Sequence, residues 1–124
     1  MALELRLSPG PRAPAEARRY VDERFDRLDP DSRARLLLLV SELVSNSVRH
    51  AGLGSDEEIR LTVRERPDVF QVSVTDPGGG FRPRSRELDP LTPTGWGLFL
   101  VDHLAERWGV RADDGTTVWF EVCR

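Results

Sequence analysis

The 124-residue chain contains no lysine; all 18 of its basic residues are arginine. That excludes a phosphate loop built on lysine and any lysine Schiff base. A single cysteine, Cys123, excludes an internal disulfide, and two histidines with one cysteine exclude a zinc cluster of the usual kind. No apolar run reaches the roughly 20 residues that a membrane-spanning helix needs. The N-terminal MALELRLSPG lacks the apolar core of a secretory signal. A soluble cytoplasmic protein with no membrane contact is the expectation. Nor is there an excess of positive charge: the formal net charge is -3, which argues against direct binding of nucleic acid. Internal repeats and low-complexity tracts are lacking as well. At this length, residues 1–124 are expected to form a single domain with a true core.

What is present alternates between strand and helix periodicities. LELRL places Leu3, Leu5 and Leu7 on one face of a short strand, an edge through which a homodimer could pair. After the breaker PGPRAP, AEARRYVDERFDRL carries Ala17, Val21, Phe25 and Leu28 at helical spacing. Asp29 and Pro30 predict an N-cap and first turn for a second helix, which Gly52 ends. EIRLTVRE and VFQVSVTD alternate on either side of a Pro67-Asp68 turn, as a hairpin does. Residues 76–94 predict a long loop, GWGLFLVDHLAERW a helix, and VRADDGTTVWFEV two strands joined by an Asp-Gly turn. The order predicts an α+β two-layer sandwich: a mixed, mostly antiparallel sheet covered on one face by about three helices.

The second helix carries polar residues inside an apolar run. In LLLLVSELVSNSV, Glu42 and Asn46 step by four, and His50 continues the stripe. One account makes that stripe the solvent face, as on most amphipathic helices. The other starts from Leu39, Val40, Leu43, Val44 and Val48, which demand burial on several sides. Glu42 and Asn46 would then look into a cleft, where a carboxylate can act as a base and an amide oxygen as a ligand for Mg²⁺.

Two glycine segments fall where phosphate-binding motifs could lie. Asp76-Pro77-Gly78-Gly79-Gly80 follows a strand, but no helix follows it, and the sixth position from Gly78 is Pro83. Gly95-Trp96-Gly97 opens a helix, but its sixth position is Leu100. Neither is a dinucleotide fingerprint or a P-loop. The first is a flexible turn, or else Asp76 accepts a hydrogen bond from a ring amino group while the glycines let the ring approach. The second is a tight start to a helix packed by Trp96, or a helix N-terminus that attracts phosphate.

Taken in order, SELVSNSVRHAG, DPGGGF and GWGLFLV resemble the GHKL (Bergerat-fold) ATPase superfamily, the ATP-binding fold shared by gyrase B, Hsp90, MutL and histidine kinases. The length and the wording of the first segment are most similar to bacterial anti-sigma factor serine/threonine kinases. The resemblance implies ATP and Mg²⁺ as cofactors, Glu42 as the general base and Asn46 as the metal ligand. It implies Asp76 as reader of the adenine amino group, with Gly78 and Gly80 shaping the pocket and Thr116, or its neighbour Thr117, beside it. Gly95, Gly97 and Leu98 would hold the phosphates, and residues 82–94 would form a lid. Arg82, Arg84 and Arg86, or Arg49, would neutralise phosphate charge, unless the lid arginines are simply solvated. The implied activity is phosphorylation of an anti-anti-sigma (STAS-type) partner and sequestration of a sigma factor. The alternatives are a nucleotide-gated binding module with little turnover, or a plain ATPase fragment. A gyrase-like machine or a sensor histidine kinase is disfavoured, since no transducer or dimerisation helices are expected.

Overall fold

The computed structural model describes residues 2–25, 28–50, 58–76, 100–111 and 115–124. The elements follow the chain as β1 (Ala2–Leu7), α1 (Ala13–Arg24), α2 (Pro30–His50), β2 (Ile59–Glu65), β3 (Val69–Asp76), β4 (Arg107–Arg111) and β5 (Thr116–Cys123). A helical turn at 100–104 precedes β4. The five strands form one sheet in the order β1-β2-β3-β5-β4, and every described pairing is antiparallel. The expected α+β sandwich with a mostly antiparallel sheet is therefore observed.

Alternation explains the layering. In β3, Phe70, Val72 and Val74 point to the buried face, and in β5 Val118, Phe120 and Val122 do the same. α1 and α2 pack on each other, and α2 lies across β3 and β5. Leu36, Leu39, Val40, Leu43 and Val44 of α2 are fully buried, as the apolar run requires. Phe25 closes α1 edge-on against Phe70, with ring centroids 5.1 Å apart. The Arg33 guanidinium binds Asp22 through two nitrogens and ties the helices together at their rim.

Local chemistry sets the boundaries. Asp29 Oδ2 accepts from the backbone N–H of Asp31 (3.1 Å) and Ser32 (3.4 Å), with Pro30 at the first helical position. Gly115 takes a φ of 89°, a left-handed conformation that opens β5 at little steric cost. One boundary differs from expectation. The helix predicted through Trp108 stops at Leu104, and Arg107–Gly109 belong to β4. The last helical bond runs from Ala105 N–H to Val101, and the next N–H, of Glu106, donates to Glu121 of β5 at 2.8 Å. Pairing with β5 outweighs helix propensity here, since Gly109 disfavours helix and Trp108 lies opposite Phe120.

Candidate functional site

Glu42 and Asn46 lie one turn apart on α2, about 6 Å along its axis. Glu42 is half-buried, whereas Asn46 is only 2% exposed. The fully solvated stripe is thereby excluded for Asn46. Its Oδ1 accepts a hydrogen bond from Arg49 Nη2 at 3.1 Å. Its Nδ2 is buried without an acceptor among the described residues. His50 is the last residue of α2, and only its backbone is described.

Asp76 and Thr116 form the second part. They end β3 and begin β5, and they are direct cross-strand partners. Each is 2% exposed. They continue the two apolar rows of the helix-covered face, so the core gives way to a carboxylate and a hydroxyl at this end of the sheet. Thr117 stands on the opposite face, where its hydroxyl meets that of Thr75 at 2.8 Å. Strand parity thus places Thr116, not Thr117, on the face of Asp76, and the sequence held the signal: Val118, Phe120 and Val122 share the parity of Thr116. Gly78, Gly80, Gly95, Gly97, Leu98 and lid residues 82–94 lie outside the described residues.

Asn46 Oδ1 is an oxygen of the kind Mg²⁺ takes, and Mg²⁺ needs few protein ligands when phosphates supply the rest. The residues fit the group on one condition. Arg49 already engages that oxygen, so a metal must share it through the second lone pair or displace the guanidinium. The Arg49–Asn46 contact is the feature that spacing alone did not reveal. Among the described residues, no group of three or more His, Cys, Asp or Glu is placed to hold a metal ion. Cys123 is no candidate nucleophile: it is exposed, and partial desolvation together with Glu106 pushes its thiol above the ordinary range. No helix among the described residues is long and apolar enough to cross a membrane.

The two-layer sandwich thus carries its buried polar groups on α2 and at the β3–β5 end. The chain belongs to the histidine kinase-like ATPase domain family, whose model matches residues 7–122. Among curated proteins, it is 33% identical over 99 residues to the serine-protein kinase RsbW of Bacillus pumilus, covering 67% of this chain and 60% of that protein. RsbW of Listeria monocytogenes is 33% identical over 95 residues, with the same coverage. The chain thus spans about three-fifths of these relatives. Among solved structures, the RsbU and RsbW domains of a Mycobacterium tuberculosis protein superpose with a TM-score of 0.77 at 20% identity, covering all of this chain and 33% of that one. The histidine kinase domain of a blue-light activated kinase from Erythrobacter litoralis gives 0.63 at 18% identity, covering 89% and 58%. These two structures share its fold.

Proposed function

We propose that this chain is an ATP–Mg²⁺-dependent protein serine/threonine kinase of the anti-sigma type. It phosphorylates a small anti-anti-sigma (STAS-type) partner and sequesters a sigma factor, in the cytoplasm. The observation that carries the reading is Asn46, a buried amide one turn after Glu42 on a helix that is otherwise core. Burying an amide whose Nδ2 lacks an acceptor among the described residues costs stability, and this supports a functional reason for keeping it. The family membership and the serine-protein kinase relatives support the same direction.

In this mechanism Asp76 accepts a hydrogen bond from the adenine amino group, and Thr116 beside it completes the polar end of the pocket. Gly78 and Gly80 let the ring approach. Gly95, Gly97 and Leu98 hold the phosphates with backbone N–H groups. Asn46 offers its amide oxygen to the metal, which when bound neutralises charge on the phosphate oxygens. Glu42 takes the proton from the partner's serine or threonine hydroxyl. That oxygen bonds to the γ-phosphorus as the bond to the β–γ bridging oxygen breaks, releasing ADP. Positioning supplies most of the catalysis, so one carboxylate, one amide and backbone donors suffice.

The test is incubation with γ-labelled ATP, Mg²⁺ and a STAS-type protein. Label on a serine or threonine of that protein is expected. Glu42→Ala should retain nucleotide binding and lose label transfer; transfer at the parent rate would remove Glu42 from the role. Nucleotide binding without transfer by the parent chain would favour the nucleotide-gated binding module instead.

A further inference from the structure

The helices cover one face of the sheet; the other face carries its own pattern. Strand register builds cross-sheet rows there. One row runs Arg6, Arg60, Thr75, Thr117, Arg111 from edge to edge, with three arginines and no carboxylate. Two positions along the strands, a second row runs Glu4, Thr62, Ser73, Trp119, Gly109, with one carboxylate at the β1 edge and the Trp119 indole against Gly109. A Cβ on Gly109 would meet Trp119 Nε1 at 2.8 Å, so the glycine makes room for the ring. The third row adds Arg64 and Arg107, separated by Gln71 and Glu121.

Together these residues line a shallow groove of about 660 Å³. Among the described residues Glu121 is its only lining carboxylate, and it is already engaged by Gln71 at 3.2 Å and Arg107 at 3.8 Å. Arg60, Arg64 and Arg111 make no ion pair among the described residues. Arg6 stands directly opposite Arg60 but is itself paired with Glu4 at 3.5 Å and Glu58 at 3.8 Å, which leaves Arg60 to the groove. A chain of net charge -3 thus places three arginines, Arg60, Arg64 and Arg111, on one face with no ion pair among the described residues. Such a pattern is complementary to an anionic partner.

We propose that the open sheet face, framed by Arg60, Arg64, Arg107 and Arg111, is a docking surface for an acidic polypeptide segment. The spacing suits one. The arginines of β2 and those of β4 stand three strand spacings apart, about 14 Å, and each pair is spaced about 13 Å along its strand, four residues of extended chain. Guanidinium forks hold carboxylates in bidentate geometry. The Thr75–Thr117 hydroxyl pair and Trp119 supply a polar and aromatic floor. A second copy is disfavoured, because a two-fold contact sets the same patch against itself and opposes arginine rows. Single-stranded nucleic acid is disfavoured because such platforms stack successive bases on several aromatics, and this groove has one among the described residues. The surface lies opposite the face bearing Asn46 and Asp76, so the inference stands apart from the nucleotide reading.

The test measures anisotropy of a fluorescein-labelled deca-glutamate peptide with the full chain at low and at physiological ionic strength. Saturable binding that weakens with salt is expected. Arg60→Glu with Arg111→Glu should weaken it by about tenfold or more, whereas the exposed helix-side pair Arg12→Glu with Arg19→Glu should change it less than twofold. If the reversal variant loses its fold by circular dichroism, Arg60→Gln with Arg111→Gln is read instead, with a smaller loss in the same direction. Lack of binding, or an equal loss in the control pair, overturns the proposal. So does tighter binding of oligothymidylate of equal charge, or sedimentation showing a dimer that the reversal dissolves.

Discussion

Asn46 holds two facts that pull against each other. Its amide is buried, and Nδ2 lacks an acceptor among the described residues. An orphaned buried donor costs about 1–3 kcal/mol, so folding alone would favour an apolar residue at this place. Asn46→Leu is therefore expected to leave the nucleotide-free chain within about 1 kcal/mol of the parent or above it. The same change should remove the Mg²⁺-dependent part of ATP binding. Calorimetric scans with and without Mg²⁺–ATP decide the matter; a large fall in the nucleotide-free Tm would make the amide a structural group. The polar stripe was legible because Glu42 and Asn46 interrupt an apolar run at helical spacing. The Arg49 contact was not, since a residue three positions on can turn to solvent or back to its neighbour, and spacing does not distinguish these. Thr116 was legible in principle through the parity of β5, which places it with Asp76 once the register is known.

At the scale of elements, the cap of α2 can be weighed directly. Asp29 satisfies two of the N–H groups that a helix start leaves open. Asp29→Ala should cost about 1 kcal/mol, a Tm fall of roughly 4 °C by thermal circular dichroism. Asp29→Asn, an equally good cap, should restore most of the loss. If both variants match the parent, the cap does not hold the helix start. This signal could be seen in Asp29-Pro30 because capping is local chemistry. β2 and β3 were readable for a related reason: their alternation and the turn between them lie within a short stretch. The end of the helix before β4 was misplaced because its cause lies further along the chain. Glu106 donates to Glu121, and Trp108 opposes Phe120, contacts that exist only when β5 is present. Non-local pairing overrode a helical pattern that was locally sound.

At the scale of the molecule, α2 in one layer and the ends of β3 and β5 in the other both contribute to the proposed nucleotide site. A ligand that touches both layers binds the native state and has little to hold in the unfolded chain. At a free concentration one hundred times its Kd, it adds about 2.7 kcal/mol, which for a chain of this size raises Tm by roughly 10 °C. ATP with Mg²⁺ is expected to give a shift of this kind in a thermal melt, rising with the logarithm of concentration. Chelating the metal should reduce it, because Asn46 then has no cation to hold against the phosphates. Asp76→Asn should reduce it by another route. A hydrogen bond to a charged acceptor contributes about 1.5–3 kcal/mol, so ATP should bind roughly ten- to a hundredfold more weakly. ADP should lose affinity by the same factor as ATP, since both present the same base. An equal shift in the parent and the Asp76→Asn chain would move the base elsewhere in the fold, and no shift in the parent at millimolar ATP would remove the site.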